Sequence, residues 1–266
     1  THSGVPVDQF LPDQIAAMRW TREQREVSTC NLTVPAVPNY PDMPVPWLHW
    51  VDVFSSEDDL YWSGPIVNVG MDHHQMTIAA SDVATLMQRT RCPITKKWGA
   101  AEPSEIAGEL WAGMIERHGL LLRAVQRHDP RGGRFDFSSS DKDGDTEMMD
   151  ATMTRLVDQT QLYWTVVAGV PRLGPQPLEA VAQLGEHHFV GDAFRIERDG
   201  SQSFNDVLLR VAGSSVRKRR EMGGLNLETI RDVNTVSGVS NADRAAQQLL
   251  RYTAAIRNSV TMPNGA

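Results

Sequence analysis

The stretch that decides the fold runs from Pro44 to Asp82: PVPWLHWVDVFSSEDDLYWSGPIVNVGMDHHQMTIAASD. It reads as three consecutive strands. Residues 47–54 form the first, and the polar turn 55–59 follows. Residues 61–69 form the second, ending at a turn over 70–73. Residues 74–80 form the third, with His74, Met76, Ile78 and Ala80 on one face and Gln75, Thr77 and Ala79 on the other. Ser81-Asp82 then reads as a helix start. The first strand carries apolar groups on both faces, Trp47, Val51 and Val53 against Leu48, Trp50 and Phe54. That pattern predicts cover on both sides, as at a domain junction or an interface. Pro65 lacks an N–H, which predicts an edge position or a bulge in the second strand. Gly64 before it predicts a close backbone approach that a Cβ would crowd.

Upstream, residues 1–13 read as a surface arm and a strand ends near Thr33-Val34. The proline-rich segment 35–46 (PAVPNYPDMPVP) cannot give regular ladder bonds and reads as an extended loop. Downstream, residues 82–89 read as a short helix and 92–97 as an extended return. From Pro103 the period turns helical, with Ile106, Leu110, Trp111, Met114 and Ile115 on one stripe. Pro103 suits the first turn, Glu105 suits its positive end, and Gly119 ends or bends the helix. Residues 129–145 (DPRGGRFDFSSSDKDGD) read as an exposed loop. Residues 147–158 read as a second helix and 160–168 as a β segment. Strands at 193–197 and 204–211 flank the turn dipeptide Asp199-Gly200. A last helix is read over 241–259, with Ser240 and Asp243 as a capping box and Ala242, Ala246, Leu249, Tyr252 and Ile256 as its stripe. β-rich, helical, β-rich again and a terminal helix make an α+β order.

Composition bounds the function. A chain of 266 residues allows one large domain or two small ones. A net charge of -7 disfavours a nucleic-acid surface, which needs positive charge against phosphate. The longest apolar run, about Leu162 to Val170, is far short of the roughly 20 residues a membrane helix needs. The start THSGVPVDQF lacks the basic and apolar regions of a signal peptide. Thr1 is small, as expected after loss of an initiator methionine or where a longer chain is trimmed. Cys30 and Cys92 match no metal spacing and read as partly buried thiols that pack as small apolar groups.

Chemistry-bearing clusters are weak. His73-His74 and His187-His188 are adjacent pairs whose members point to opposite faces of a strand, and no H-E-x-x-H or C-x-x-C accompanies them. Asp141, Asp143, Asp145 and Glu147 alternate as Ca²⁺ ligands do, but Gly and Glu are missing from the EF-hand positions, so a solvated loop is the better reading. Arg217-Lys218-Arg219-Arg220 reads as a solvated turn or an ion-pairing edge against another subunit. No G-x-S-x-G elbow and no phosphate loop is present. The seven tryptophans read as core or interface anchors rather than a sugar platform.

Several phrases carry a family resemblance. Arg19-Trp20 with Arg25-Glu26-Val27-Ser28 resembles the opening strand of phage tail-tip hub proteins. Trp62-Ser63-Gly64-Pro65-Ile66 resembles their central strand, and Ala80-Ser81-Asp82 with Leu86 and Arg89 to Arg91 resembles the helix after it. Residues 103–118 and Trp164 to Gly169 resemble the inserted domain and its exit. His187 to Phe194 with Asp199-Gly200 resembles the second barrel. The chain is thus similar to baseplate hubs, or minor tail proteins, of siphophages infecting actinobacteria, over residues 15–225.

The resemblance implies two β-barrel-like hub domains with an inserted α/β domain and a C-terminal helix. It places the first hub domain with its arm at 1–102, the insertion at 103–170, the second hub domain at 171–225, and a linker and helix at 226–266. It implies a structural virion protein at the tail tip, assembled in the host cytoplasm. Such a hub adapts a sixfold tail tube to a threefold tip and takes part in host attachment and genome delivery. The implied partners are two further copies in a homotrimer, the distal tail ring, the tape measure protein and other tip proteins. No catalytic residue, metal ligand or cofactor carries over. The competing reading is a tail module that binds or degrades cell wall.

Overall fold

The computed structural model describes residues 4–36, 43–130, 132–142, 145–175, 195–201, 203–211, 214–221, 224–233, 239–254 and 257–261. Strands β1 (Ala17–Trp20), β2 (Thr29–Pro35), β3 (Trp50–Phe54), β4 (Leu60–Met71) and β5 (Gln75–Ser81) form one antiparallel sheet in the order β1-β2-β5-β4-β3. The meander β3-β4-β5 is flanked by β2, which arrives by the long proline-rich connection, in a Greek-key arrangement. The sheet is open, with β1 and β3 as its edges. Alternation sets the register. Cys30, Leu32 and Val34 of β2 pair with Ala80, Ile78 and Met76 of β5. All six are buried, with Trp62, Ile66 and Val53. A slip of one residue would turn every one of them to solvent.

Two details of the meander differ from the sequence reading. β3 starts at Trp50, because residues 46–48 turn and Trp47 takes a left-handed φ of 67°. Pro65 is not at an edge, since β4 lies between β3 and β5. Its missing N–H is tolerated because pairing with β5 begins one residue later, at Ile66 with Ala80, and a bulge at Val67 shifts the register beyond it. The close approach at Gly64 is real. A Cβ there would stand 2.0 Å from the Ser81 carbonyl oxygen and 2.7 Å from the Asp82 Cα. The two-sided cover of β3 holds at Trp50, which packs on the second core, and at Val51 and Val53, which pack on the first. Phe54 stays exposed.

After β5 the chain forms a 3₁₀ helix, Val83–Arg89, capped by Asp82. Strand β6 (Lys96–Ala101) follows, then helix α1 (Pro103–Arg117), with Pro103 in its first turn and the whole predicted stripe buried. Strand β7 (Val125–Gln126) leads to β8 (Phe135–Ser139), which pairs with β6 inside the expected loop. The glycines and serines around it mask the alternation of Phe135 and Phe137, both buried. Helix α2 (Met149–Thr160) and strands β9 (Tyr163–Val167) and β10 (Val170–Gly174) complete the second core, in which the Trp111 and Trp164 rings lie 6.2 Å apart.

Strands β11 (Arg195–Asp199), β12 (Asp206–Val211), β13 (Ser214–Arg219) and β14 (Glu228–Asp232) lead to helix α3 (Val239–Thr253) and strand β15 (Arg257–Thr261). The expected hairpin across Asp199-Gly200 does not form. β11 pairs with β15, while β12 pairs antiparallel with β13 and parallel with β14. α3 ends earlier than its stripe implied, because the chain after it returns as β15. Ala193, Phe194 and Ile256 lie outside the described residues. Ala242, Ala245 and Ala246 of α3 pack with Leu209, Val211 and Phe135. The architecture is α+β.

Candidate interaction surfaces

Among the described residues, the clusters noted in the sequence lie apart from one another. His73 and His74 sit on the exposed β4–β5 turn. There the Asp72 carboxylate accepts from the backbone N–H of His74 at 2.7 Å and of Gln75 at 2.8 Å, and these bonds hold its pKa below the ordinary value. His187 and His188 lie outside the described residues, as does Asp143. Asp141 exchanges hydrogen bonds with Thr95, and Glu147 pairs with Arg155. Among the described residues, no three His, Cys, Asp or Glu side chains are grouped to hold a metal. Both cysteines are free and buried. Burial pushes the Cys30 thiol up to about 11, so it stays a protonated, unreactive group.

A buried carboxylate that the sequence reading passed over is Glu102, 3% exposed. It accepts from the backbone N–H of Asp129 at 2.6 Å and from the Ser104 hydroxyl at 3.2 Å, and it contacts His128 Nδ1. The sequence signal was Glu-Pro-Ser-Glu, a capping pattern around Pro103. With these partners Glu102 ties the 128–134 segment to the start of α1, a structural task.

The tryptophans divide as anchors do. Trp62, Trp98, Trp111 and Trp164 are buried. The indole N–H groups of Trp50, Trp62 and Trp111 are buried without a hydrogen-bond partner. Trp47 is 44% exposed, with the Arg89 guanidinium 5.8 Å from its ring centre. With Val45, Leu48, Phe54 and Tyr61 it makes the β3 edge and its flanking loops rich in exposed apolar side chains. Phe54 pairs with Leu60, and Tyr61 is the residue left over where β3 and β4 lose register. An edge strand bearing large apolar groups is a surface suited to protein contact.

The basic run is not a turn but an edge strand, and its ion pairs are made within the chain. Arg217 to Arg219 lie on β13, and the first two basic residues are used inside the chain. Arg217 grips the buried Asp206 carboxylate with bonds of 2.8 and 2.5 Å and reaches Glu228 at 3.2 Å. That guanidinium holds the Asp206 pKa below the ordinary aspartate value. Lys218 pairs with Asp243 of α3 at 2.7 Å.

No protein-family model matches the chain. No curated protein matches it. Solved structures do. A prophage tail protein, gp18, from Listeria monocytogenes superposes with a TM-score of 0.52 at 10% identity, over 88% of this chain and 70% of that one. A tail protein from Neisseria meningitidis gives 0.50 at 13% identity, over 88% and 72%. A 43 kDa tail protein of prophage MuSo2 from Shewanella oneidensis gives 0.48 at 14% identity, over 88% and 74%. At such identities the likeness lies in the fold, which is the fold of phage tail proteins.

Proposed function

We propose that this chain is a structural component of a phage tail and that it works at the tail tip as a ring-forming hub. The observation that carries the reading is the fold itself, shared over 88% of the chain with tail proteins from Listeria and Neisseria. In this reading three copies close a ring that adapts the sixfold tail tube to a threefold tip. The ring stacks on the distal tail ring, meets the tape measure protein inside and the remaining tip proteins below, and takes part in host attachment and genome delivery. The apolar β3 edge supports it, because a surface that carries Trp47, Leu48, Phe54 and Tyr61 in water is better placed against a neighbour.

The reading is non-enzymatic. The buried carboxylates Asp82, Glu102 and Asp206 are each held by hydrogen bonds to backbone or side-chain donors. Such groups build structure. No helix among the described residues is long and apolar enough to cross a membrane. A reconstruction of an assembled tail is the test: three copies around the tip axis are expected, and a single copy would overturn the reading. Zymography on host cell wall tests the rest. Clearing that one carboxylate substitution abolishes would replace a hub with a wall-degrading module.

A further inference from the structure

Between β13 and α3 lies a groove of about 410 Å³, lined by Arg219, Arg220, Arg244 and Arg251 and floored by Gly132 and Gly133. Its volume falls in the range of roughly 300–1,000 Å³ typical of ligand sites. The two α3 arginines lie seven residues apart, on one face of the helix. They are partly engaged: Arg251 pairs with Asp129 at 2.8 Å, and Arg244 donates to the Arg134 carbonyl. Arg219 and Arg220 are exposed, and among the described residues their side chains make no hydrogen bond or ion pair, although the Arg219 charge acts through space on Asp206. They follow Arg217 and Lys218, whose charges are matched within the chain. Among the described residues no acidic side chain lines the groove, although Asp129 matches Arg251 from beside it. The guanidinium groups of Arg219, Arg220 and Arg244, without an ion pair among the described residues, repel each other around one concavity and focus a positive field in a chain of net charge -7. An anion relieves that repulsion.

The same chain carries a patch of opposite charge. The β3–β4 turn presents Glu57, Asp58 and Asp59, all exposed and without an ion pair. The turn is built rather than loose. The Ser55 hydroxyl accepts from the Glu57 N–H at 3.0 Å and the Asp59 N–H at 3.1 Å, and the Ser55 N–H donates to the Asp59 carbonyl at 2.8 Å. Three carboxylates on a preorganised tip lose little freedom on docking. The exposed Phe54 and Tyr61 flank the tip. They would add apolar contact beside the charge contact.

We propose that the arginine groove is the receptor for the acidic 55–59 turn of a neighbouring copy, held by carboxylate–guanidinium pairs. Turn and groove are different patches of one surface, so the contact is heterologous and repeats around a ring. The inference rests on the ring reading above. A second copy is favoured over other anions because the chain itself carries exposed carboxylates on an ordered turn, and because the apolar groups beside that turn, Phe54 and Tyr61, need cover.

The test is sedimentation velocity of the full chain at low and high salt. Wild type is expected to associate, and to do so more weakly in salt, since charge contacts of this kind are screened. Arg219→Glu with Arg220→Glu, and separately Glu57→Lys with Asp59→Lys, should each weaken association by about tenfold or more. The four substitutions together, which swap the charges, should restore it. Thermal unfolding of each variant reports folding separately: the turn pair and Arg220 make no ion pair among the described residues, while Arg219→Glu alone, which stands opposite Asp206, measures the cost of that one reversal. Association of either reversed pair at wild-type strength, failure of the combined variant to recover, or a wild type that never associates overturns the proposal. So does binding of inorganic phosphate that needs Arg219 and Arg220 while self-association is untouched, which would mark the groove as a site for free anions. Copy number in the assembled tail judges the ring reading independently. A threefold ring formed by variants that lack the charge match removes the groove and keeps the ring.

Discussion

The five-stranded sheet and the β13-β12-β14 sheet solve the same problem with opposite chemistry. Each buries an aspartate at a strand end. In the first, Asp82 accepts from the Ser28 N–H at 2.9 Å and the Ala84 N–H at 2.9 Å, with only neutral donors. Burial therefore raises its pKa above the ordinary value, against the pull of those bonds. In the second, Asp206 is held by Arg217, and its pKa falls. Their surfaces differ in the same sense. The first sheet shows apolar side chains at its β3 edge, and the second shows arginine. One sheet is specified by apolar alternation and backbone closeness, the other by charge pairs that set strand against strand.

The largest expected effect tests backbone closeness in the first sheet. Gly64→Ala places a Cβ 2.0 Å from a carbonyl oxygen, and backbone cannot step aside as a side-chain end can. The cost should exceed the roughly 1–3 kcal/mol of ordinary overpacking, with loss of soluble, cooperatively unfolding protein. A Gly64→Ala variant that melts like wild type would break the argument for closeness. Trp62→Ala should cost about 3–5 kcal/mol, the range for a deleted core aromatic. Trp62→Phe should cost much less. It keeps a ring in place and removes an indole N–H that is buried without a partner. Equal losses for the two variants, read by urea unfolding, would mean that ring volume is not what holds the sheet. If Trp62→Ala left unfolding unchanged, the ring would instead be a contact residue.

The difference between the sheets also explains what the sequence made legible. The meander could be read because its alternation and turns are local: Met76, Ile78 and Ala80 follow one another at period two, and Ser55–Asp59 is a turn in both readings. The α1 stripe was legible for the same reason, at the helical period. Partner choice between distant strands was not. Asp199-Gly200 is good turn chemistry, yet β11 finds β15 some sixty residues on, and β12 takes β14 in parallel. Nothing local encodes that choice. The 217–220 run left a turn and an ion-pairing edge equally open, because charge on both faces hides a strand. Its alternation is one of ion-pair partners, Asp206 and Glu228 for Arg217 and Asp243 for Lys218, which no hydrophobic pattern shows. Pro65 left an edge or a bulge open, and the bulge beside it is what lets a proline sit in an interior strand.

The two aspartates give opposite pH responses, a smaller effect that sharpens the comparison. Asp206 has a lowered folded pKa. Its contribution is complete above the unfolded value of about 3.9 and is lost as pH falls through the folded value. Asp82 has a raised folded pKa. Its contribution is complete below about 3.9 and is lost as pH rises through the folded value. The cost of Asp206→Asn should therefore grow with pH from the acid side and then level off. The cost of Asp82→Asn, about 1–3 kcal/mol in acid because the amide cannot accept both N–H bonds, should shrink as pH rises. Urea midpoints from about pH 3 to pH 7 measure both. Slopes of the same sign would mean that burial and pairing do not divide the two sheets.

The smallest effect on the folded chain is expected at Phe54, and there the two surfaces part. Its side chain is 57% exposed at the end of an edge strand, so Phe54→Ser should change unfolding by no more than about 0.5 kcal/mol. Any association through the β3 edge should nonetheless weaken, since an apolar anchor is removed from the contact. Salt separates this loss from that of an arginine pair. Apolar burial does not weaken as ions are added, while exposed charges are screened over about 8 Å at physiological ionic strength. Association of Phe54→Ser should fall short of wild type by the same factor at low and high salt. The Arg219→Glu, Arg220→Glu deficit should be large at low salt and shrink as salt rises. Sedimentation of both variants across a salt series draws the two curves. A Phe54→Ser deficit that disappears with salt would assign the β3 edge to the electrostatic contact and leave the apolar groups there without a role of their own.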